Sequence, residues 1–177
     1  MVKALAAEAN GMVDNYDFSK GLEHVRGGAF KSELGKKALD AIVARWEAAA
    51  QFLPMLADEM VASKYDGGVV RGTAPVTEGV VSGAKSEGIL LETKEGEVEI
   101  LYDEILPEEL VMMAEAAAEN IADSTAYYEC RERAAAFAQL VAKDEDGKKW
   151  ANARREALAE ELFEFRERET LLRELGL

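Results

Sequence analysis

The stretch from Pro75 to Pro107 constrains the fold most, because it is the only part of the chain whose sequence favours β-structure. Three runs of β-forming residues lie within it, at 78–82, 88–93 and 98–102. Short glycine-containing gaps separate the runs, and such gaps favour hairpins. Val98, Ile100 and Tyr102 alternate with acidic residues, a period of two that is typical of a sheet with one solvated face. The sequence therefore predicts a small antiparallel β unit.

The sequence does not decide whether this β unit forms a closed barrel or an open sheet. A fourth strand over Gly68–Arg71 would let three or four short strands curl into a small SH3-like barrel, which would reduce the number of exposed strand edges. An open antiparallel meander lying on a helix is the alternative. We favour the barrel.

Helical patterns surround the β unit on both sides. Apolar residues recur at steps of three and four, and they predict six helical segments: 3–13, 17–25, 32–62, 108–121, 125–142 and 146–175. Pro54 lies inside the third segment and predicts a break near Gln51. Pro107 suits the first turn of the helix that follows the sheet.

These segments predict a mainly helical α+β fold with a small antiparallel, SH3-like β unit between helical hairpins. We divide the chain into an N-terminal helical region (1–66), a small β unit (67–106) and a C-terminal helical hairpin region (107–177). We expect all three to form one compact domain, since 177 residues suffice for a single core.

The last helical segment carries an apolar stripe formed by Leu158, Leu162, Phe165 and Leu172. Three of these residues continue a spacing of seven that starts at Ala151, and this spacing permits a coiled-coil seam. The stripe equally fits packing within its own domain. Under the first interpretation its residues are candidate contacts for a partner or a second copy of the chain.

The net charge of −14 restricts the classes of partner. Nucleic-acid binding and adsorption to anionic lipid both need clustered basic residues, and Lys85 and Lys94 are the only ones between Glu78 and Glu119. This acidic region is either a solvated surface or a docking face for a basic partner or a divalent ion. No apolar run reaches the roughly 20 residues of a membrane span. We expect a cytoplasmic protein with no nucleic-acid or membrane partner.

Residues for catalysis or cofactor binding are few. His24 is the only histidine and Cys130 the only cysteine, so one chain offers neither a two-histidine metal site nor a disulfide. No pattern supports Cys130 as a nucleophile. The sequence predicts no catalytic, metal or cofactor site and favours a protein that is not an enzyme.

Aromatic residues near the sheet and on the later helices are the remaining candidates for binding. Tyrosine and tryptophan are common anchors at protein interfaces, although each is more often a core residue with a polar tip. The candidates are Tyr102, Tyr127, Tyr128 and Trp150.

Two stretches, GVVSGAKSEGILLETKEGEVEILYDEILPEEL and AYYECRERAAAFAQLVAKDEDGKKWANARREAL, together resemble a known arrangement. It is an uncharacterised tail region of large multidomain proteins, including some kinases and repeat proteins, of planctomycete-type bacteria. The second stretch is similar to a tetratricopeptide-type hairpin, with small residues such as Ala135, Ala136 and Ala153 at close-packed positions. The resemblance covers the last two-thirds of the chain and implies an interaction or assembly module without a known activity, substrate or cofactor.

Together these observations favour a non-catalytic interaction or scaffolding module that binds a protein partner or itself as a homo-oligomer. The alternative is a ligand- or peptide-recognition domain that uses the edge or the acidic face of the β unit. A carboxylate-dependent enzyme is the less favoured third hypothesis.

Overall fold

The structure, a computed structural model, describes residues 1–72 and 75–176. The described residues form eight α-helices and three β-strands, which confirms the mainly helical α+β class. In chain order the elements are α1 (Val2–Asn10), α2 (Ser19–Arg26), α3 (Glu33–Ala50), α4 (Phe52–Ser63), β1 (Val80–Ala84), β2 (Gly88–Thr93), β3 (Gly96–Leu101), α5 (Pro107–Ala118), α6 (Ser124–Val141), α7 (Glu145–Glu161) and α8 (Phe163–Glu174).

The chain packs as two units. The first unit combines Met1–Ala50 with Ala135–Leu177, and the second unit is Gln51–Ala134. The divisions predicted from the sequence, at 66/67 and 106/107, stay a prediction. Packing therefore groups the strands with α4 and α5, and it joins segments from the two ends of the chain into the first unit.

In the second unit the three strands form an open antiparallel sheet in the order β1-β2-β3. β1 packs on α4, and α4 packs on α5. One face of the sheet is buried, and its buried side chains are Val81, Ile89, Leu91 and Ile100. The turn between β2 and β3 places Gly96 at a φ of 124°, where glycine is favoured.

The prediction of a closed SH3-like barrel is wrong. Gly68–Arg71 forms no strand of the sheet, and its one β contact is an isolated bridge between Val69 and Thr77. The sheet is the open meander on a helix that the sequence left as the alternative. Because α4 lies against β1, the apolar face can be buried without joining the two edge strands.

The first unit has an aromatic centre. Phe18 packs edge-on against Trp46, with ring centroids 6.1 Å apart, and against Phe137 at 5.9 Å. Gly21 on α2 lies directly against the Trp46 ring, where an added Cβ would overlap it. This contact brings α2 close to α3, and α1 packs on both helices.

The single helix predicted over 146–175 is divided at Leu162, whose φ of −117° and ψ of 109° are not helical. Arg155 of α7 contacts Glu169 of α8, 14 residues later. In a continuous helix these residues would lie about 21 Å apart, so α7 and α8 form a hairpin. The Arg166 side chain donates hydrogen bonds to the carbonyl oxygens of Ala159 and Glu160 at the end of α7.

Candidate functional site

The outer edge of β3 presents unpaired backbone groups. The Tyr102 N–H donates a 2.9 Å hydrogen bond to the Glu87 carbonyl oxygen on the β2 side. Hydrogen-bonded pairs alternate along an antiparallel ladder, so Glu97, Glu99 and Leu101 direct their N–H and C=O groups away from β2. No residue in the described part of the chain is hydrogen-bonded to them. We call these outward groups of the three residues the β3 edge.

The opposite edge of the sheet, along β1, is engaged by the chain itself. The Val81 N–H donates a 2.9 Å hydrogen bond to the carbonyl oxygen of Tyr65. A bulge also shifts the β1–β2 register between Val81 and Gly83, and a bulge disrupts the regular pairing that a further strand would need. The two edges therefore differ in their capacity to accept another strand.

Acidic side chains line the solvated face next to the β3 edge. Glu97 lies directly opposite Glu92 of β2, and Glu99 lies two residues further along β3. Like charges at directly opposite positions destabilise a sheet. Glu99 forms an exposed ion pair with Lys85 at 2.7 Å, whereas Glu92 and Glu97 have no ion-paired partner among the described residues. Two carboxylates here are thus available to a basic ligand.

Tyr102, the first of the aromatic candidates, is 4% exposed and is not a surface anchor. Burial, reinforced by the negative charge of Asp58, raises the pKa of its phenol to about 12. Its hydroxyl has no hydrogen-bond partner within residues 1–72 and 75–176. The side chain packs in the core of the second unit.

Tyr127, Tyr128 and Trp150 are half-buried. The two tyrosine rings pack edge-on with centroids 5.3 Å apart. The guanidinium of Arg154 lies 4.4 Å from the centre of the Trp150 ring, an arrangement that favours a cation–π contact. All three residues therefore remain partly accessible.

The apolar stripe of the last segment lies mostly inside the first unit. Leu158, Phe165 and Leu172 are each at most 5% exposed, and Leu162 occupies the break between α7 and α8. α8 packs on α3 as well as on α7. The stripe therefore serves packing within the chain, and its buried residues offer no surface to a second copy.

Cys130 is buried, and His24 lies beside a carboxylate. Burial, together with the charge of Glu59, raises the pKa of the Cys130 thiol to about 11, so the thiol is protonated at neutral pH and packs as a small apolar group. His24 Nε2 lies 3.2 Å from a carboxylate oxygen of Glu8. In the part of the chain that the structure describes, no group of three or more His, Cys, Asp or Glu side chains could hold a metal ion.

A buried charge cluster in the first unit was not predicted from the sequence. Glu169, which is 6% exposed, lies between the guanidinium groups of Arg45 and Arg155. The sequence does contain a pattern that indicates this cluster. Glu169 falls four residues after Phe165 and three before Leu172, on the apolar face of its helix. An acidic residue at such a position indicates a buried partner of opposite charge.

Comparisons of this chain with protein-family models, with curated protein sequences and with solved structures found no match. The resemblance to the bacterial tail region therefore stays a prediction. No helix among the described residues is both long and apolar enough to cross a bilayer.

Proposed function

We propose that this chain is a non-catalytic protein-interaction module that binds an extended, basic segment of a partner protein along the β3 edge. The observation that carries the proposal is the difference between the two sheet edges. The β1 edge is bulged and hydrogen-bonded to Tyr65, whereas the β3 edge presents three consecutive outward positions whose backbone donors and acceptors have no partner among the described residues. Strand addition at an open sheet edge is a common mode of peptide recognition.

The side chains next to the β3 edge indicate the chemistry of the partner. In an added strand, every second side chain would lie on the same face as Glu97 and Glu99 and directly beside them. Lysine or arginine at those positions would relieve the repulsion between Glu92 and Glu97. The intervening side chains would extend the apolar face that contains Ile100. We therefore infer a ligand in which basic and uncharged residues alternate.

The same charges disfavour self-association through this edge. Two copies of β3 paired with each other would bring Glu97 and Glu99 of both chains together, and acidic edge residues are a known means of preventing such pairing. The self-association that the sequence favoured used the stripe around Leu158, which is buried. The proposal therefore names a different protein as the partner.

Fluorescence anisotropy with labelled peptides tests this proposal. A peptide of alternating lysine and threonine should bind more tightly than a peptide of the same composition with its lysines in one block, because only the alternating peptide matches the strand period. Methylating the backbone nitrogens of every second residue should abolish binding for one of the two alternate sets and leave it nearly unchanged for the other. Equal binding of both peptides, or indifference to both methylation patterns, would contradict strand addition.

Variants of Glu99 separate backbone recognition from charge. Glu99→Pro removes the outward donor in the middle of the β3 edge without removing a ladder hydrogen bond to β2, and it should weaken binding at least about tenfold, the equivalent of one or two hydrogen bonds. Glu99→Gln keeps the donor and should weaken binding about threefold, the range of an exposed ion pair. Equal losses in the two variants would show that charge alone attracts the peptide.

A further inference from the structure

The first unit contains a cavity of about 650 Å³ whose charge is opposite to that of the protein as a whole. Five basic residues and one acidic residue, Glu156, line it; the basic residues are Lys3, Arg45, Lys148, Arg155 and Arg173. The whole chain has 21 basic and 35 acidic residues. Clefts lined by one sign of charge concentrate ligands of the opposite sign. We call this feature the basic cavity.

Arg45 lies in the wall of the basic cavity and is largely buried. Its side chain is 13% exposed. One of its terminal nitrogens, Nη2, donates to the carboxylate oxygens of Glu169 at 3.3 and 3.4 Å, but its buried Nε has no hydrogen-bond partner among the described residues. Burial lowers the pKa of the Arg45 guanidinium, while the Glu169 carboxylate acts in the opposite direction. At this burial the charge of the guanidinium is only weakly screened by solvent, so it attracts an anion in the cavity.

The carboxylate of Glu169 cannot balance the positive charge around it. Both Nε and Nη2 of Arg155 donate to Glu169 Oε2, so one carboxylate serves two guanidinium groups. Lys3 adds a further positive charge and has no ion-paired partner within the described part of the chain. The remaining contacts are exposed ion pairs, since Arg173 lies 3.6 Å from Glu156 and Lys148 lies 2.9 Å from Glu145, and exposed pairs are easily exchanged. Uncompensated positive charge therefore remains.

The walls of the basic cavity indicate more than a bare ion. Ala6, Ala7 and Leu140 contribute apolar surface, and Asn10 and Gln139 contribute polar side chains. A volume of this size falls within the range of small-molecule sites, which combine apolar walls with a few convergent polar groups. Arginine's planar fork matches carboxylate and phosphate oxygens.

From the depth of Arg45, the excess of positive charge and the apolar walls, we propose that the basic cavity binds a small organic anion that carries at least two negative charges on carboxylate or phosphate groups. The site is separate from the β3 edge and involves a different class of ligand.

Titration calorimetry at low ionic strength with phosphate, pyrophosphate, citrate and adenosine monophosphate tests the proposal. We expect at least one multivalent anion to bind one-to-one and more tightly than inorganic phosphate. The preferred probe shows whether phosphate or carboxylate oxygens are recognised. In a Trp150→Phe variant, Trp46 is the only tryptophan left, and its fluorescence should change on binding because Trp46 borders the cavity. Absence of binding by all four probes at millimolar concentration would overturn the proposal.

A pair of charge-matched variants locates the binding. Lys3→Gln removes an exposed charge at the cavity and should weaken binding roughly fivefold. Lys36→Gln removes the same charge from an exposed position on α3 that does not line the cavity, and it should change the affinity less than twofold. Equal effects would show that the anion responds only to net charge, and the assignment to this cavity would then be wrong.

Discussion

Replacing Glu169 with glutamine should destabilise the first unit strongly. The side chain is 6% exposed and is hydrogen-bonded to Arg45 and Arg155, whose side chains are each 13% exposed. Loss of its charge leaves two guanidinium groups buried without a counter-charge, and breaking a buried ion pair in this way costs about 3–5 kcal/mol. The expected loss is therefore a large fraction of the roughly 5–15 kcal/mol that stabilises a typical protein.

Urea unfolding followed by tryptophan fluorescence measures this loss in the first unit, because both tryptophans, Trp46 and Trp150, belong to it. With a urea dependence of about 2 kcal/mol per molar, Glu169→Gln should lower the unfolding midpoint by about 2 M. Glu156→Gln provides the control, since its pair with Arg173 is exposed on both sides and is worth at most about 1 kcal/mol.

A triple replacement of the cluster separates its charge balance from its packing. Arg45→Met, Arg155→Met and Glu169→Leu together remove every buried charge of the group, and such replacements are often neutral or stabilising. The triple variant should therefore recover most of the stability that Glu169→Gln loses. If Glu169→Gln shifted the midpoint no more than Glu156→Gln, the inference that two buried guanidinium groups depend on this carboxylate would be refuted.

The remaining predictions concern packing, the thiol, alkaline pH and a helix end. Gly21→Ala should destabilise the first unit by about 1–3 kcal/mol in the same urea assay, because the added methyl overlaps Trp46. Cys130 should react with a thiol reagent only as fast as the second unit opens, which the rate of colour release from the reagent measures. The raised pKa of Tyr102 favours its neutral form in the fold. Its contribution to the free energy of unfolding should therefore be complete below about pH 10 and lost as pH rises through about 12. Circular dichroism measured against pH checks this. Arg166→Ala should cost about 1 kcal/mol by exposing the last carbonyls of α7, and leucine at the same position should not restore the loss.

Local signals predicted several element boundaries correctly. The break expected near Gln51 separates α3 from α4, and Pro107 begins α5 as its missing N–H favours. In both cases a proline restricts the backbone within one helical turn, so the boundary can be predicted from a few neighbouring residues. The three β runs were found for a similar reason, since their period of two and their glycine-containing turns are local.

Features that depend on distant contacts were not predictable in the same way. The residues around Leu162 favour a continuous helix, and the hairpin depends on the contact between Arg155 and Glu169. Closure of the sheet likewise depended on whether residues 68–71 would pair along their whole length or at one bridge. The exposure of the β3 edge follows from strand order. The basic cavity gathers lysines and arginines from α1, α3, α7 and α8 that are unremarkable where they stand in the sequence.

The division of the chain has a consequence for its synthesis. The second unit is continuous from Gln51 to Ala134, whereas the first unit needs segments from both ends of the chain. At roughly 5–20 residues per second, a ribosome takes on the order of ten seconds to pass from one segment of the first unit to the next. During that time Trp46 and the apolar faces of α1 to α3 lack the later helices that complete their unit, while the second unit can already fold. A chaperone that acts on the nascent chain would therefore meet long-lived exposed apolar surface in the segment Met1–Ala50.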